Sequence, residues 1–182
     1  RQGFDLWFGY YDQVHAHTYY TDHLLRNSQK VPLDGKTYSH TPIIEEAFGF
    51  IEKNAQIEVP FFAYFAICPP HGKYVVPDQG IYKNKPWSNP VKNYAAMCTL
   101  IDSNVGDLMK LLKKLGIDDN TIVFYTSDNG PNKQFVPTLA SNKPFRGVKR
   151  QLTEGGLRCP MVVRWPGKIE PGTTSSFAWT HK

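Results

Sequence analysis

The residues of this chain best suited to chemistry lie at 121–131, where the sequence is Thr-Ile-Val-Phe-Tyr-Thr-Ser-Asp-Asn-Gly-Pro. The first six are bulky and uncharged, which predicts a strand buried on both faces of a parallel sheet. Asp128 and Asn129 follow it, at the carboxyl edge where open α/β sheets bind ligands. Carboxylate and amide oxygens suit a hard cation such as calcium or magnesium. The alternative is a turn in which both side chains bond only local backbone.

Two further polar groups follow predicted strands. His71 lies in the Cys-Pro-Pro-His-Gly turn at 68–72, directly after an apolar run at 60–67 that also predicts a buried strand. Lys149 lies in the basic, glycine-containing loop at 131–158. If the strands are parallel, a histidine, a cation site and a lysine border one crevice, which suits an oxyanion ester with a proton-transfer group beside it. A histidine of the core or loop and a solvated lysine are the alternatives.

A second pair of histidines lies near the start of the chain. His15 and His17 are separated by one residue, so on a strand they would share a face and could ligate a metal. No third ligand lies nearby in the sequence. Ordinary packing or contact with substrate is therefore favoured over a metal site.

Two helices must position these groups. Thr41 predicts an N-cap with Pro42 at the first helical position, and apolar spacing continues this helix to about Lys53. The second helix has an apolar stripe from Tyr94 to residue 115 and ends at Gly116.

The predicted strands complete an α/β pattern. A last strand is predicted at 160–165, and residues 1–38 predict a long loop with one short strand near residues 30–31. The order helix, strand, helix, strand, loop, strand indicates an α/β fold with a mixed, mostly parallel sheet sandwiched by helices.

Bulk composition excludes several classes of protein. The chain has 182 residues, 41% of them hydrophobic, which indicates a globular protein. The net charge of +5 is scattered, so we expect no nucleic-acid partner, and no apolar run is long enough to span a membrane. Three cysteines without a C-x-x-C spacing do not predict zinc, and Cys98 falls on an apolar helix face. The first residue is Arg1 rather than Met, so a fragment or processed product is expected.

An ordered set of motifs extends over nearly the whole chain. Its main members are Thr126-Ser-Asp-Asn-Gly-Pro131, Arg146-Gly-x-Lys-x-x-x-x-Glu-Gly-Gly156 and Arg164-Trp-Pro-Gly167, and the opening Gly3-Phe-Asp, Phe8-Gly9, Pro70-His71 and Tyr94-Ala-Ala-Met97 match as well. In this order they resemble the type I sulfatases of the alkaline phosphatase superfamily. The resemblance implies one calcium, a formylglycine nucleophile made from Cys or Ser in a C/S-x-P-x-R motif, and a periplasmic, extracellular or lysosomal location.

The same resemblance implies a role for several residues. Asp128 and Asn129 would be calcium ligands, His71 would contact the leaving-group oxygen and supply its proton, and Lys149 would hold the sulfate oxygens. Gln13 and His17 lie in a segment that reaches toward the substrate in members of this family.

The sequence departs from the family pattern in ways that define what is missing. Residues 68–72 fit C-x-P-x but end in Gly instead of Arg, and Cys98 and Cys159 fail the motif. Asp118 and Asp119 mimic the family's metal-binding pair but precede a strand, at the wrong end of the sheet. The nucleophile is therefore expected upstream of residue 1 and a further subdomain beyond residue 182. Residues 1–182 are expected to be the central part of the catalytic domain and to be inactive alone.

The predicted reaction of the complete enzyme is hydrolysis of a sulfate monoester of a carbohydrate or an aryl alcohol, with a sulfated small molecule or glycan as its partner. One alternative keeps the fold and changes the ester, to a phosphodiesterase or phosphonate monoester hydrolase. Another is a non-catalytic module that binds sulfated glycans through four basic residues, Lys143, Arg146, Lys149 and Arg150. His71 with Asp128 and Asn129 argues against it, because glycan affinity requires neither.

Overall fold

The computed structural model describes residues 3–180, which divide into two compact units, one up to Leu111 and the other from Leu112. The first unit contains a small sheet, two long helices and the His71 turn. The second contains a two-stranded sheet and the loops that hold Asp128 and Lys149.

A three-stranded antiparallel sheet opens the first unit. Its strands are β1 (Phe8–Gly9), β2 (His23–Arg26) and β3 (Gln29–Pro32), in that spatial order. Strands β2 and β3 form a hairpin at Asn27, whose φ of 55° lies in the left-handed region that asparagine tolerates. The short strand expected near residues 30–31 is therefore correct, but the sheet around it was not predicted.

Helix α1 (Gln13–Ala16) lies between β1 and β2 and is capped by Asp12, which accepts a hydrogen bond from the His15 amide. Helix α2 (His40–Gln56) begins two residues earlier than the Thr41 cap predicts. Ser39 precedes it, and its hydroxyl donates to the Tyr19 carbonyl oxygen at 2.8 Å instead of capping the helix. Proline is tolerated in the first turn because its missing N–H has no acceptor there.

Helix α3 (Asn89–Lys114) confirms the second predicted helix, and Gly116 follows it with a φ of +71°. Its first turns cover a buried cluster in which Tyr19 and Tyr38 stack with ring centroids 5.3 Å apart against Met97. Burial raises the pKa of both tyrosines, so their hydroxyls stay protonated and act as hydrogen-bond donors. Cys98 is half-buried on this helix, and burial raises the pKa of its thiol.

His40, at the start of α2, is almost fully buried. Its Nε2 lies 2.8 Å from Asn104 Oδ1, while Nδ1 has no hydrogen-bond partner among the described residues. Burial holds the pKa of this imidazole below its usual 6.5, and the bond to Asn104 opposes the shift only in part. The unfolded chain therefore takes up a proton at this residue before the folded chain does.

We expect this difference to make stability fall on acidification. Stabilisation by neutral His40 is present above about pH 6.5 and is lost as the pH falls toward its lower folded-state pKa. In His40→Gln the amide can still donate to Asn104 but does not titrate. The thermal midpoint of the full-length protein should drop more for the unchanged protein than for His40→Gln between about pH 7.5 and 5.5. If the thermal midpoints of the two proteins fall equally with pH, His40 is not the residue responsible for the loss of stability.

Residues 60–67 form an extended segment without a strand ladder to any described residue. The prediction of a strand buried on both faces is wrong here. Phe61 and Phe65 pack against Phe50 and Phe48 of α2, with ring centroids 6.2 and 6.4 Å apart. The alternate side chains are exposed, Phe62 by 74% and Tyr64 by 72%. An unbroken apolar run thus covers α2 with one face and leaves the other accessible.

The second unit is organised around an antiparallel pair, β4 (Val123–Thr126) and β5 (Met161–Arg164). Both strands confirm predicted positions, but β4 is not buried on both faces, since Phe124 is 52% exposed. Arg164 makes a bidentate ion pair with Asp118 at 2.7 and 2.8 Å, which joins the end of β5 to the turn before β4 and lowers the pKa of Asp118. Asp118 is thus held by an arginine of β5.

Two one-turn helices complete this unit, α4 (Val136–Leu139) and α5 (Glu154–Leu157). Every ladder among residues 3–180 is antiparallel, so the parallel pairing expected from the element order is not formed within this part of the chain. No helix in residues 3–180 combines the length and hydropathy needed to cross a membrane.

Candidate active site

The His71 turn is held by backbone bonds on both sides. The His71 amide donates to the Cys68 carbonyl oxygen at 3.0 Å, and the Tyr19 hydroxyl donates to the His71 carbonyl oxygen at 2.9 Å. The Cys68 thiol in turn donates to the Ala16 carbonyl oxygen at 3.0 Å, which ties the turn to the end of α1. The His71 side chain is exposed. The turn thus combines a fixed backbone with an imidazole that is accessible from solution.

His17 lies against His71, with ring centroids 4.8 Å apart and planes inclined at 63°. Its Nδ1 is 2.6 Å from the Gln13 carbonyl oxygen, which can only accept, so Nδ1 carries the hydrogen. In the neutral ring, Nε2 is then the acceptor. The structure therefore brings together two of the residues that the sequence singled out, and Gln13 contributes through its backbone while its side chain is exposed.

His15 has a structural role instead. Its Nδ1 accepts from the Tyr11 amide at 2.9 Å, and its Nε2 lies 3.0 Å from the His23 carbonyl oxygen and 2.8 Å from Thr21 Oγ1. Both ring nitrogens are engaged, in α1 and not on a strand, so the shared metal site considered for His15 and His17 is not formed. Among the described residues, no group of three or more histidine, cysteine, aspartate or glutamate side chains could hold a metal ion.

Asp128 and Asn129 lie in the turn that follows β4. The Asp128 side chain is exposed, whereas Asn129 is half-buried and its Nδ2 donates to the Gly130 carbonyl oxygen at 3.1 Å. Ser127 Oγ donates to the Asn129 carbonyl oxygen at 3.3 Å. Asn129 thus makes the local backbone bond of an ordinary turn, and the same bond fixes its orientation. The oxygen atoms of these two side chains fit the chemistry of a hard cation, although calcium takes about six to eight ligands.

The Lys149 segment is joined to this turn by two backbone hydrogen bonds. The Gly130 amide donates to the Gly156 carbonyl oxygen at 3.0 Å, and the Lys149 amide donates to the Pro131 carbonyl oxygen at 2.9 Å. Lys149 is half-buried. The two motifs are separated by 14 residues in sequence, yet they form one connected loop pair.

Both this contact and the fold of the Lys149 loop depend on glycine. A Cβ at Gly130 would lie 1.9 Å from the Gly155 carbonyl oxygen, and one at Gly155 would lie 2.4 Å from the Gly147 carbonyl oxygen. Backbone atoms occupy those places, so no change of side-chain rotamer relieves the overlap. Gly130 is therefore needed for the close approach of the Asp128 turn to the Lys149 loop, and Gly155 for the close packing of the Lys149 loop on itself.

Gly130→Ala should separate the two loops. The Gly155 carbonyl oxygen, 1.9 Å from the added Cβ, must move by about an ångström or more to reach normal contact. In the full-length protein we expect a loss of activity of at least about tenfold and faster proteolysis within residues 131–158. The matched control is Gly49→Ala in α2, where a Cβ meets no atom within 4 Å. Equal behaviour of the two variants would show that the loop contact is dispensable.

One supporting residue was missed by sequence analysis. Tyr19 holds the His71 carbonyl although the two residues are 52 positions apart. Nothing in the sequence pairs them, because the contact is made only when Cys68 of the His71 turn packs on the buried cluster that contains Tyr19.

Comparison with known proteins gives the family. The family model described as Sulfatase matches residues 1–181. Human N-acetylgalactosamine-6-sulfatase is 32% identical over 195 residues, covering 96% of this chain and 35% of the relative. YdeN of Escherichia coli K12, described as an uncharacterized sulfatase, is 33% identical over 173 residues, covering 94% of this chain and 30% of the relative.

A solved structure agrees with these relatives. The crystal structure of Ps i-CgsB in complex with k-i-k-neocarrahexaose superimposes with a TM-score of 0.70 at 32% identity, over 80% of this chain and 31% of that chain. It confirms the predicted fold class, an incomplete form of the α/β sulfatase fold. This chain spans about a third of the length of the curated relatives it matches. With the ordered motifs and the joined Asp128 and Lys149 loops, these matches establish that the chain belongs to the sulfatase family.

Proposed function

We propose that the protein containing this chain hydrolyses a sulfate monoester of a carbohydrate or an aryl alcohol. The observation that carries the proposal is the backbone junction of the Asp128 turn with the Lys149 loop. It joins a turn with oxygen ligands to the loop that carries an amine, so a cation held by the turn and the Lys149 ammonium group could both meet the same anion. Membership of the sulfatase family supports a sulfate ester as that anion.

The residues of this chain would divide the chemistry between them. Lys149 would bind sulfate oxygens through its ammonium group and balance their negative charge. His71 would donate a proton to the leaving oxygen, and neighbouring His17 would help to orient the bound alcohol. Release of the alcohol then requires no free alkoxide, which is the costly species for a poor leaving group.

Asp128 and Asn129 would hold part of a calcium site. Two side chains are too few for calcium, so further ligands would come from the rest of the protein. When bound, the ion would supply positive charge beside the sulfate, and the formylglycine that the family resemblance implies would supply the nucleophile. Neither group is contributed by residues 3–180, and the roles assigned to this chain are binding, orientation and proton transfer.

The extent of the matches supports a domain assignment. We propose that residues 1–182 form the central part of a sulfatase catalytic domain, since the family model matches 1–181 and the chain covers about a third of each curated relative. For the substrate we propose a sulfated glycan. One relative is named an N-acetylgalactosamine-6-sulfatase, and one structural neighbour contains a neocarrahexaose. We further propose that the protein is exported, which fractionation of its native host would test.

The function is tested on the full-length protein with a panel of esters. We expect inorganic sulfate to be released from 4-nitrophenyl sulfate and from sulfated oligosaccharides, and mass spectrometry to find a cysteine or serine converted to formylglycine. Hydrolysis of a phosphodiester or phosphonate monoester, with no sulfate released, would replace this proposal by the phosphorus-ester alternative. Binding of sulfated glycan without any hydrolysis would favour the non-catalytic module.

The non-catalytic glycan-binding module has one observation in its favour. Lys143, Arg146 and Arg150 are exposed on the loop that holds Lys149, and the only carboxylate of residues 131–158, Glu154, pairs with Arg158. This loop could meet several sulfates of a glycan. Hydrolysis by the full-length protein is the result that separates an active enzyme from a binding module.

The isolated segment gives a further prediction. Residues 1–182 should show no turnover of an aryl sulfate and should associate in solution, because Phe62, Tyr64 and Phe124 present exposed apolar surface. Size-exclusion chromatography with light scattering, followed by an assay with 4-nitrophenyl sulfate, measures both properties. A monodisperse, active monomer would show that the proposed division of the catalytic machinery is wrong.

A further inference from the structure

A surface loop at residues 78–88 combines aromatic rings with lysines and has no part in the site described above. Tyr82 and Trp87 stack with ring centroids 5.9 Å apart and planes inclined at 23°. Lys85 Nζ lies 6.0 Å from the centroid of the Trp87 ring. Lys83 and Lys85 are exposed, and Trp87 is half-buried. The loop therefore presents two partly exposed, stacked aromatic rings with cationic groups beside them.

The loop is ordered by its own hydrogen bonds. The amides of Gly80, Tyr82 and Lys85 donate at 3.1, 3.0 and 3.1 Å to Asp78 Oδ1 and to the carbonyl oxygens of Gln79 and Tyr82. Gly80 has a φ of +51°, in the region that favours glycine. A loop with this many internal bonds loses little conformational entropy when a ligand binds.

Side-chain bonds also fasten the loop to α3. Tyr82 Oη lies 3.0 Å from Thr99 Oγ1, and Gln79 Nε2 donates to Asn93 Oδ1 at 2.7 Å. Lys92 Nζ donates to the Lys83 carbonyl oxygen at 2.9 Å. These bonds hold the backbone, so the side chains of Lys83 and Lys85 are not needed for the attachment.

The charge of the surface is one-sided. Residues 73–92 contain four lysines and a single carboxylate, Asp78, whose Oδ1 accepts from the Gly80 amide. Within residues 3–180, no carboxylate forms an ion pair with Lys83 or Lys85. Their ammonium groups are consequently available to an anion from solution.

The loop shares its support with His71. It begins at Asp78, seven residues after His71, and the intervening Val75 and Val76 pack on the cluster formed by Tyr19, Tyr38 and Met97. Asn93 Nδ2 of α3 donates to the Tyr74 carbonyl oxygen at 2.7 Å along this path. The proposed proton donor and the aromatic loop are thus carried by the same packed part of the first unit.

We propose that residues 78–88 bind a sulfated oligosaccharide, with the Tyr82–Trp87 pair stacking on a sugar ring and Lys83 and Lys85 contacting sulfate groups. Pyranose rings have an apolar face of C–H groups that packs on aromatic rings, and sulfate esters are permanent anions that ammonium groups recognise. A polyanion that needs charge alone would use the lysines without the ring pair. The proposal rests on the proposed function for its choice of ligand, and it adds a contact beyond the sulfate that is hydrolysed.

Binding is measured directly by calorimetry on the full-length protein, with sulfated hexasaccharides prepared from carrageenan, chondroitin sulfate and heparin as probes. For the probe that binds best, we expect Lys83→Ser/Lys85→Ser to raise Kd about tenfold, because two charge-assisted contacts are lost. Trp87→Leu should raise Kd by a similar factor, and Trp87→Phe, which keeps a flat ring, by no more than about threefold. Lys36→Ser/Lys53→Ser removes the same charge from exposed positions elsewhere and should leave Kd unchanged.

Several outcomes would overturn the proposal. The first is that the unchanged protein binds none of the probes. The second is that the two double-lysine variants lose affinity equally. The third is that Trp87→Leu leaves both Kd and the thermal midpoint unchanged. If Trp87→Leu unfolds the protein, the Kd values of Trp87→Phe and of the two double-lysine variants still test the proposal. Equal loss of affinity in Lys83→Ser/Lys85→Ser for a single-stranded oligonucleotide or for anionic phospholipid vesicles would show a site that recognises charge alone, and would also overturn it.

The same data separate this proposal from the proposed function. Loss of glycan binding in the loop variants of a protein that releases no sulfate would support the loop site and contradict only the enzymatic activity. Release of sulfate by a protein whose loop variants bind glycan normally would support the activity and contradict the loop site.

Discussion

His71→Ala should lower turnover of an alkyl or sugar sulfate by about two to four orders of magnitude, the usual contribution of a general acid. An alkoxide is a poor leaving group, so its departure depends on a proton from the enzyme. An activated aryl sulfate, whose phenolate departs without help, should be much less affected. Steady-state kinetics of the full-length protein on both ester classes measure the difference.

A matched variant tests whether the proton or the position of the turn matters. Tyr19→Phe keeps the ring but removes the hydroxyl that donates to the His71 carbonyl oxygen at 2.9 Å. Loss of one such bond should lower turnover about tenfold or less. The factor should be the same for both esters, because the imidazole remains. Equal losses on both esters in His71→Ala would instead show that this residue binds sulfate and does not donate a proton.

Asp128→Ala should abolish calcium binding by the full-length protein or weaken it severely, because a charged ligand is removed from an all-oxygen site. Calorimetric titration with calcium chloride gives the affinity, and loss of activity should accompany loss of the metal. Asp128→Asn keeps one oxygen without the charge, and its calcium affinity should lie between those of the unchanged protein and Asp128→Ala.

Asp118→Ala is the control for this variant. It removes a carboxylate from the same unit and breaks the ion pair with Arg164, so it should lower stability but leave calcium affinity unchanged. Unchanged affinity in Asp128→Ala, or an equal loss in Asp118→Ala, would contradict the assignment of Asp128 as a metal ligand.

The sequence predicts elements well where local chemistry determines them. Helix α3 ends before Gly116 because glycine adopts the positive φ found there, and strand β4 stops at a run of turn-forming residues. Residues 60–67 show the limit of this reasoning. An unbroken apolar run does not distinguish a strand enclosed on both faces from a segment that packs on one helix, and the partner of each face lies far away in the chain.

The candidate site was predictable in its residue types but not in its connections. The motifs identify Asp128, Asn129, Lys149 and His71, whereas the contact of His17 with His71 depends on α1, which is only four residues long. The hairpin at Asn27 had a usable signal, since asparagine favours two-residue turns between short strands. Contacts between residues far apart in sequence require the packed structure.

The two backbone bonds between the Asp128 turn and the Lys149 loop make these segments one cooperative element. A ligand that orders either segment reduces the entropy cost of ordering the other. If the turn holds calcium and the loop holds sulfate, as proposed, thermodynamic linkage requires that calcium raise the affinity for sulfate by the same factor by which sulfate raises the affinity for calcium. Hydrogen exchange provides the observable: sulfate alone should slow exchange of the Gly130 amide, and calcium alone should slow exchange of the Lys149 amide.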